Sequence, residues 1–361
     1  MKVLILANHI STLSFRRELF EILTKKGFEV IISVPDDPDV KIYEELGCEI
    51  IATQVDRRGI NPLKDIALIK NYNKIFLNVN PDIILSFTIK PNIYGSMVSN
   101  RMGYKQVCNV TGTGATFLSV SLVSVIASIL YRISVKKAYK VFFQNTGDRD
   151  YFVEHHMIKD NWAMLPGSGC NLDEHKYVEM PSDDTVNFIF IGRVMKLKGI
   201  DEYLACAKTI KETHPNTKFY IAGWNEEEEY KAIVSEYEQK GYVEYIGFRK
   251  DINNWIAKCH CTVLPSHGGE GVPNVLLESA ATGRVCIASN ISGSRDVVDH
   301  GITGYIFEPK NAEDLIKQVE SFLSLSYEQK NTMGKAGRKK VEQEFDRNIV
   351  VQTYLNIIES D

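Results

Sequence analysis

Two glutamates at a fixed spacing carry the clearest chemical signal in this sequence. Glu270 and Glu278 enclose the seven residues Gly-Val-Pro-Asn-Val-Leu-Leu, shortly after the apolar run CTVLP. Pro273 suits the first helical position, because its missing N–H needs no partner there, and Gly283 is a natural helix stop. Glu270 is therefore predicted in a loop and Glu278 inside a helix. They are either ligand-binding carboxylates or two unrelated solvated acids.

The start of this predicted helix is also a candidate phosphate site. The first backbone N–H groups of a helix have no intrahelical acceptor and can bind anions. The N–H groups around Pro273, Asn274 and Val275 are therefore predicted to face phosphate oxygens.

A basic cluster precedes the glutamates. Gly192 and Arg193 follow the apolar run NFIFI, and Lys198-Gly199 comes at the start of the next helical stretch. Arginine can hold two oxygens in a fork, and lysine supplies a point charge. At a strand-to-helix turn these residues predict a diphosphate site, although surface cations of no special function are common.

Short β-branched apolar runs alternate with amphipathic stretches along the whole chain, which is typical of parallel sheets covered by helices. The predicted strands are 3–7, 29–34, 49–53, 82–87, 106–110, 140–144 and 162–166 in the first half, then 187–191, 218–222, 243–247, 261–265 and 285–289. The predicted fold class is α/β, with two Rossmann-like domains facing across a cleft that holds the active site.

The domain limits follow from the same pattern. The N-terminal domain is predicted over 1–166 and the C-terminal domain over 167–345, with the polar segment 181–185 as linker. One long charged helix is predicted after Gly334, broken near Asp346.

The charge is unevenly distributed. The chain carries −4 overall, but residues 1–166 hold 20 Lys and Arg against 16 Asp and Glu (+4), and residues 167–361 hold 22 against 30 (−8). A basic half can meet nucleic acid, anionic lipid or a phosphorylated acceptor. The excess is too small and scattered for nucleic acid, which we exclude as a partner.

The seven cysteines and the N-terminus indicate a cytoplasmic protein. The cysteines show no CxxC or metal-ligand spacing, so buried thiols in a reducing compartment are predicted. The start MKVLILANHI predicts a strand rather than a leader. The apolar stretch Phe117–Leu130 is too short to span a bilayer of about 30 Å.

Taken together, these motifs resemble those of glycosyltransferase family 4, a family of retaining enzymes with the GT-B fold. The resemblance rests on G-R-x4-K-G, the loop LPGSGCNLDEH (165–175), the strand YIG (245–247) and E-x7-E before a helix. It covers nearly the whole chain and is more specific in the C-terminal half. It implies an acceptor-binding N-terminal domain, a donor-binding C-terminal domain, and a last helix, 346–361, that crosses back to the N-terminal domain.

The resemblance implies residue roles. Arg193 and Lys198 would bind the donor diphosphate and offset charge on the leaving group, which makes them catalytic together with Glu270 beside the transferred sugar. Glu278 would accept hydrogen bonds from the ribose. Further donor contacts are implied for Gly192, Pro273, Asn274, Val275, Gly247 and Phe248. A front-side attack needs no protein nucleophile.

Substrates are also implied by resemblance. The chain is most similar in character to bacterial enzymes that extend undecaprenyl-diphosphate-linked sugars in capsule or O-antigen assembly, and UDP with an N-acetylhexosamine is the favoured donor. The stretch 117–131 runs into Arg132, Lys136 and Lys137, so it is either an apolar surface resting peripherally on the inner face of the cytoplasmic membrane or a buried helix. Candidate acceptor or cleft residues are His9, Arg16, Gly112 and Gly114, each with a structural role as the alternative.

Other functions are weaker interpretations. A UDP-sugar epimerase of the same fold would need an acid/base pair in the N-terminal domain, and a non-catalytic nucleotide-binding homologue would not need to keep both clusters. A nicotinamide-dependent dehydrogenase lacks G-x-G-x-x-G after the first strand. The triplets Asp37-Pro38-Asp39 and Asp148-Arg149-Asp150 fall in the wrong half to hold a donor metal, so no metal or other cofactor is expected.

Overall fold

The computed structural model describes residues 1–56, 59, 61–117 and 121–360. The chain divides into two units. The N-terminal unit comprises Met1–Ser168 and the last stretch of the chain from Asn348, and the C-terminal unit comprises Gly169–Arg347. Both crossings therefore lie two residues beyond the predicted limits at 166 and 345.

In the described part of the N-terminal unit, seven strands form one parallel sheet. They are β1 (Lys2–Leu6), β2 (Glu29–Val34), β3 (Glu49–Ala52), β4 (Ile83–Phe87), β5 (Lys105–Val110), β6 (Lys140–Phe143) and β7 (Trp162–Met164), in the order β3-β2-β1-β4-β5-β6-β7. The helices between them are α1 (Arg17–Lys25), α2 (Lys41–Glu45), α3 (Pro62–Val79), α4 (Ile89–Met102), α5 (Leu122–Ser134) and α6 (Thr146–Glu154).

The C-terminal unit is built in the same way. Its described strands are β8 (Val186–Ile191), β9 (Thr217–Ala222), β10 (Glu244–Gly247), β11 (Cys261–Leu264), β12 (Val285–Ser289) and β13 (Gly304–Phe307), in the order β10-β9-β8-β11-β12-β13. Its helices are α7 (Ile200–Thr213), α8 (Glu229–Gln239), α9 (Ile252–Lys258), α10 (Asn274–Ala281), α11 (Ser292–Val297), α12 (Ala312–Leu323) and α13 (Tyr327–Glu344).

Each sheet buries both faces because successive side chains of a strand point to opposite sides. On β1, Val3 and Ile5 enter the core on one face, and Leu4 and Leu6 enter the core on the other. The last helix, α14 (Arg347–Glu359), packs on the first of these faces. Within the described residues, no helix has the length and apolarity needed to cross a membrane.

Three details differ from the sequence predictions. Strand β13 was not predicted, because the short segment Gly304–Phe307 follows a turn without a long apolar run. The segment 181–185 lies inside the C-terminal unit, directly before β8, and does not link the units. Helix α13 begins at Tyr327, where Ser326 and Gln329 form a capping box, rather than after Gly334. All seven cysteines are buried and unpaired, as predicted.

The last helix, α14, is part of the hydrophobic core of the N-terminal unit. Tyr354 on α14 is buried, contacts the rings of Phe87 and Phe142, and its hydroxyl lies 2.5 Å from Asn109 Oδ1. We expect Tyr354→Ala to lower the free energy of unfolding by about 3 kcal/mol or more, because it removes a buried ring and leaves a cavity. The exposed neighbour Gln352→Ala is the control, with an expected change within about 0.5 kcal/mol. Equal urea midpoints for the two variants would contradict this assignment.

Candidate functional site

The C-terminal sheet changes direction between β8 and β11, which are neighbours in space although β9 and β10 intervene in sequence. The connections after these two strands leave toward opposite sides of the sheet. In open α/β sheets this arrangement opens a crevice at the carboxyl ends of the strands, where ligands bind. The basic cluster follows β8 and Glu270 follows β11, so both sequence-predicted clusters lie at this point.

Close backbone contacts hold the loop after β8. Gly192 donates its N–H to Ala222 O (2.9 Å), and Gly223 donates to Gly247 O (2.9 Å). Gly223 has φ 146°, and a Cβ there would lie 1.8 Å from Gly192 O, so only glycine allows this approach. Arg193 follows, and its Nη1 lies 3.4 Å from Glu226 Oε1. The ends of β8, β9 and β10 thus form one continuous edge around Arg193.

A second close contact brings the two clusters together. Gly199, at the start of α7, has φ 73°, and a Cβ on it would lie 1.9 Å from Pro265 O at the end of β11. Across the same junction, His267 donates its backbone N–H to Leu197 O (2.9 Å). The Lys198–Gly199 turn therefore lies directly on the loop that carries Glu270.

Lys198 and Glu270 form an ion pair as a result. Lys198 Nζ binds Glu270 Oε1, and both side chains are only one-fifth exposed. Ser266 Oγ donates to the same carboxylate oxygen (2.9 Å). A partly buried pair is screened less by solvent than a surface pair, so it orients both groups. The site joins a cation and a carboxylate at one edge of the sheet.

A further buried contact supports the Glu270 loop. His267 Nε2 lies 3.0 Å from Glu202 Oε2 in the first turn of α7, and both side chains are about nine-tenths buried. The contact fastens the loop after β11 to the helix that follows Lys198. His267 is therefore part of the wall of the site.

Helix α10 places Glu278 in a different environment. The helix begins at Asn274, one residue later than predicted, and Pro273 is its N-cap instead of its first helical residue. The Pro273 backbone is extended (ψ 115°), while its carbonyl already accepts a hydrogen bond from Leu276 N–H (3.1 Å). Proline has no N–H, so Asn274 and Val275 are the residues of that trio able to donate. Burial raises the pKa of Glu278 to about 7, against the opposing charge of Arg347.

Two exposed aromatic rings mark the end of β9 and β10. Trp224 and Phe248 have their ring centroids 5.7 Å apart and are half or more exposed. Gly247, with φ 65°, makes the turn that brings Phe248 out of the strand. Exposed ring faces are suited to stacking on a planar ligand.

The candidate acceptor residues lie in the N-terminal unit, where their settings differ. Arg16 is buried, donates from Nη1 to Thr12 O (2.7 Å), and lies 4.4 Å over the ring of Phe87. His9 is partly exposed, with Nδ1 2.8 Å from Ser11 Oγ. Gly112 and Gly114 both have positive φ, in the loop after β5.

The two acidic triplets are engaged in local contacts. Asp37 caps a short 3₁₀ turn by accepting the N–H of Asp39 (3.0 Å). Asp148 is buried, where it accepts from Thr113 (2.9 Å) and Asn145 (2.9 Å), and its desolvation raises its pKa. The part of the chain that the structure describes contains no group of three or more His, Cys, Asp and Glu side chains placed to hold a metal.

Several residues of the site were missed from the sequence. Glu226, Ser266, Glu202, Trp224 and Arg347 each contact or influence a predicted residue. Ser266 and Trp224 follow strand ends directly, which is the one local signal that could have identified them. Glu202 and Arg347 lie far along the chain from their partners and give no such signal.

Comparison with known proteins relates both units to families. A model described as Glycosyl transferases group 1 matches residues 173–340, and one described as Glycosyl transferase 4-like matches residues 2–145. The first match includes the loops that follow β8, β9, β10 and β11, which carry the site residues described above.

Three curated relatives are similar over most of their length. The N,N'-diacetylbacillosaminyl-diphospho-undecaprenol α-1,3-N-acetylgalactosaminyltransferase of Campylobacter jejuni is 25% identical, with 95% of this chain and 94% of the relative covered. The capsular polysaccharide biosynthesis glycosyltransferase CapM of Staphylococcus aureus is 25% identical, with 95% and 93% covered. The UDP-Gal:α-D-GlcNAc-diphosphoundecaprenol α-1,3-galactosyltransferase of Escherichia coli is 22% identical, with 83% and 81% covered.

Solved structures share the fold. A glycosyltransferase from Rickettsia africae has a TM-score of 0.81 at 18% identity, with 99% of this chain and 97% of that chain covered. Anabaena HepE, in complex with UDP and glucose, has a TM-score of 0.81 at 16% identity, with both chains fully covered. The predicted α/β fold of two Rossmann-like domains is confirmed.

The packing of Gly199 against Pro265 predicts an unusually costly substitution. Gly199→Ala would place a methyl group inside the Pro265 carbonyl, so we expect a loss of about 3 kcal/mol or more in the free energy of unfolding. Gly241→Ala is the matched control, since Gly241 has a similar φ of 75° with nothing within 4 Å of its Cβ position. That control should cost only about 1–2 kcal/mol of backbone strain. Equal losses in urea unfolding would mean that the Gly199 contact is not rigid.

The raised pKa of Glu278 predicts a stability gain on neutralisation. The folded pKa of about 7 exceeds the usual 4.5, so its contribution to stability is complete below about 4.5 and is lost as the pH rises through 7. Glu278→Gln should therefore stabilise the protein at pH 8, on the order of 3 kcal/mol, and make almost no difference at about pH 3.5, where the carboxyl is protonated in both states. Melting temperatures across this range test the prediction. The exposed acid Glu236 on α8 is the control, and a Gln there should bring no gain.

Proposed function

Since the chain belongs to the glycosyltransferases of the GT-B fold, we propose that it transfers an N-acetylhexosamine from UDP to a glycan linked to undecaprenyl diphosphate, in bacterial capsule or O-antigen assembly. The observation that carries this proposal is the Lys198–Glu270 pair at the point where β8 and β11 meet, with Arg193 on the same loop as Lys198. The lipid-linked acceptor is proposed because two relatives are named for diphospho-undecaprenol acceptors.

The two cations would hold the donor diphosphate. Lys198 and Arg193 each face a carboxylate, Glu270 and Glu226 respectively. Diphosphate oxygens carry a comparable negative charge, so they can replace the carboxylates as partners. As the bond to the sugar breaks, negative charge builds on UDP and both cations lower its energy. In this proposal they take the role that a metal has in other transferases, and no metal is required.

Glu270 would then act on the transferred sugar. Once Lys198 binds phosphate, the carboxylate remains oriented by Ser266 and can accept sugar hydroxyls. It also stabilises positive charge at the anomeric carbon in an oxocarbenium-like transition state. We propose retention of configuration through front-side attack by the acceptor hydroxyl, with no covalent intermediate on the protein.

The nucleoside would occupy the rest of the edge. Glu278 accepts the ribose hydroxyls in this proposal, and Asn274 and Val275 direct backbone N–H groups to phosphate. Gly192 and Gly247 allow the close approach of diphosphate and base. Phe248 would stack on the base, supported by its contact with Trp224.

The acceptor would bind the N-terminal unit, which we place in the cytoplasm at the inner face of the membrane. His9 is the better candidate for a contact to the acceptor, because Arg16 is already buried and bonded. Gly112 and Gly114 would let the acceptor approach the loop after β5. That loop is held by the hydrogen bond from Thr113 to Asp148.

The test combines nucleotide binding with kinetics. A UDP-sugar should raise the melting temperature equally with magnesium and with EDTA, and GDP, ADP, dTDP and NAD should not. Lys198→Ala and Glu270→Ala should each lower kcat by about 100-fold or more while the melting temperature stays near that of the wild type, whereas the exposed Lys208→Ala on α7 should leave kcat unchanged. A product that retains the donor's anomeric configuration by NMR supports front-side attack.

Several outcomes would contradict the proposal. Unchanged kcat in Lys198→Ala or Glu270→Ala removes that residue from the mechanism. Loss of turnover in EDTA overturns metal independence, and an inverted product overturns retention. Formation of a free epimerised UDP-sugar without extension of any glycan would replace transfer by isomerisation.

A further inference from the structure

Helix α5 presents most of its large aliphatic side chains to solvent, while Leu130 and Tyr131 pack against the core. Leu122, Ile126, Ile129 and Ile133 recur at spacings of four, three and four, so they lie on one face, and they are 76%, 48%, 50% and 58% exposed. We call these four residues the α5 face. The opposite side of the helix is buried, and apart from the aromatic Tyr131 it consists of the small residues Ser124, Ala127 and Ser134. This reverses the usual pattern of a helix that packs on a sheet.

The orientation of α5 is determined by specific contacts. Ser121 and Ser124 form a capping box at the start, and Asn100 on α4 donates to Ser134 O (2.8 Å) at the end. Between them the ring of Tyr131 packs against Phe152 at 4.8 Å. The serine hydroxyls on the inner side bond to carbonyls of the helix itself, so their burial needs no water. These contacts fix the rotation of α5 about its axis and leave the α5 face exposed to solvent.

Helix α3 adds a second exposed apolar segment. Helix α4 packs against both α3 and α5, so the three form one layer on the sheet. Leu63, Ile66 and Leu77 of α3 are exposed, among the exposed lysines Lys70 and Lys74. Apolar and cationic side chains alternate on this helix rather than forming a wide apolar stripe.

The positive charge of this part of the chain favours an anionic partner. The segment 62–140, which contains these three helices together with β4, β5 and the connecting loops, holds ten Lys and Arg against two Asp and Glu, a net +8 in a chain of net −4. Arg132, Lys136 and Lys137 follow the carboxyl end of α5, where Lys105 also lies over the exposed ring of Tyr139. Pairing with a second copy would place two cationic faces together. An anionic surface with an apolar interior satisfies both the charge and the α5 face.

We propose that the α5 face inserts into the headgroup region of an anionic bilayer, with the cations of α3 and of the α5 carboxyl end on lipid phosphates. Thirteen residues span about 20 Å at 1.5 Å per residue, too short to cross a bilayer core of about 30 Å, so α5 lies in the plane of the interface. This inference rests on the proposed function in one respect, since a lipid-linked acceptor brings the enzyme to the membrane.

The test is partition onto vesicles of phosphatidylcholine with and without phosphatidylglycerol, using the full chain and no donor. The wild type should bind the anionic vesicles at low salt and bind pure phosphatidylcholine at least about tenfold more weakly. Ile129→Glu/Ile133→Glu should lose at least about tenfold in partition, because two charges replace inserted side chains. The matched control is Ile302→Glu/Ile349→Glu, two comparably exposed isoleucines outside the layer, which should bind like the wild type.

A fluorescent reporter measures insertion directly. Ile129→Trp should shift its emission to shorter wavelength on anionic vesicles, whereas Ile302→Trp should not shift. Equal vesicle binding by the double Glu variant and the wild type, or no wild-type binding, would overturn the proposal. So would a dimer by light scattering that the Glu substitutions dissociate, because the α5 face would then bind a second copy.

Failure of this inference is distinguishable from failure of the proposed function. The vesicle assay contains no nucleotide, and the double Glu variant should still be stabilised by a UDP-sugar. Vesicle binding without any response to UDP would leave the docking surface in place and refute the donor assignment. A response to UDP without vesicle binding would do the reverse.

Discussion

The contact of Gly199 with the Pro265 carbonyl is the constraint on which the site depends. It joins the end of β11 to the start of α7, so the loops after two neighbouring strands cannot separate without losing backbone packing. Lys198 is thereby held against Glu270, and the Glu202–His267 contact closes the same junction from the helix side. In the proposed transfer reaction the cation and the carboxylate act on adjoining parts of the donor, which requires that their relative position be fixed.

The charged groups of the site differ in how their surroundings stabilise them. Lys198 and Arg193 each lie beside a carboxylate, Glu270 and Glu226 respectively. Glu278 is different, since burial outweighs the attraction of Arg347 and raises its pKa to about 7. A carboxylate held in an unfavourable environment is typical of a binding position, where local stability is given up for ligand contacts. The same logic applies to Trp224 and Phe248, whose exposed rings contribute little to the core.

The two units share one architecture but use it to position different kinds of groups. The C-terminal unit uses glycine contacts at strand ends to hold charged groups at its edge. The N-terminal unit packs α14 on one face of its sheet, and on the other face α5 is oriented by the buried ring of Tyr131 and by small residues beside it. An exposed row of isoleucines conflicts with the rule that a helix buries its apolar stripe. This conflict in an otherwise consistent fold is the reason for the proposal that the α5 face binds a membrane.

The sequence by itself determined the repeating strand-and-helix pattern, the two units, the family and the two charged clusters, because hydrophobic periodicity and glycine or proline positions are local signals. It did not determine strand β13, the crossing points at 168 and 347, or the capping position of Pro273, since these depend on packing partners distant in the chain. Only the tertiary structure decided that Lys198 meets Glu270, because that contact requires β8 beside β11. It also decided which side of α5 is buried and that the α5 face is exposed, because a run of aliphatic residues is equally compatible with a core and with a membrane surface until its neighbours are placed.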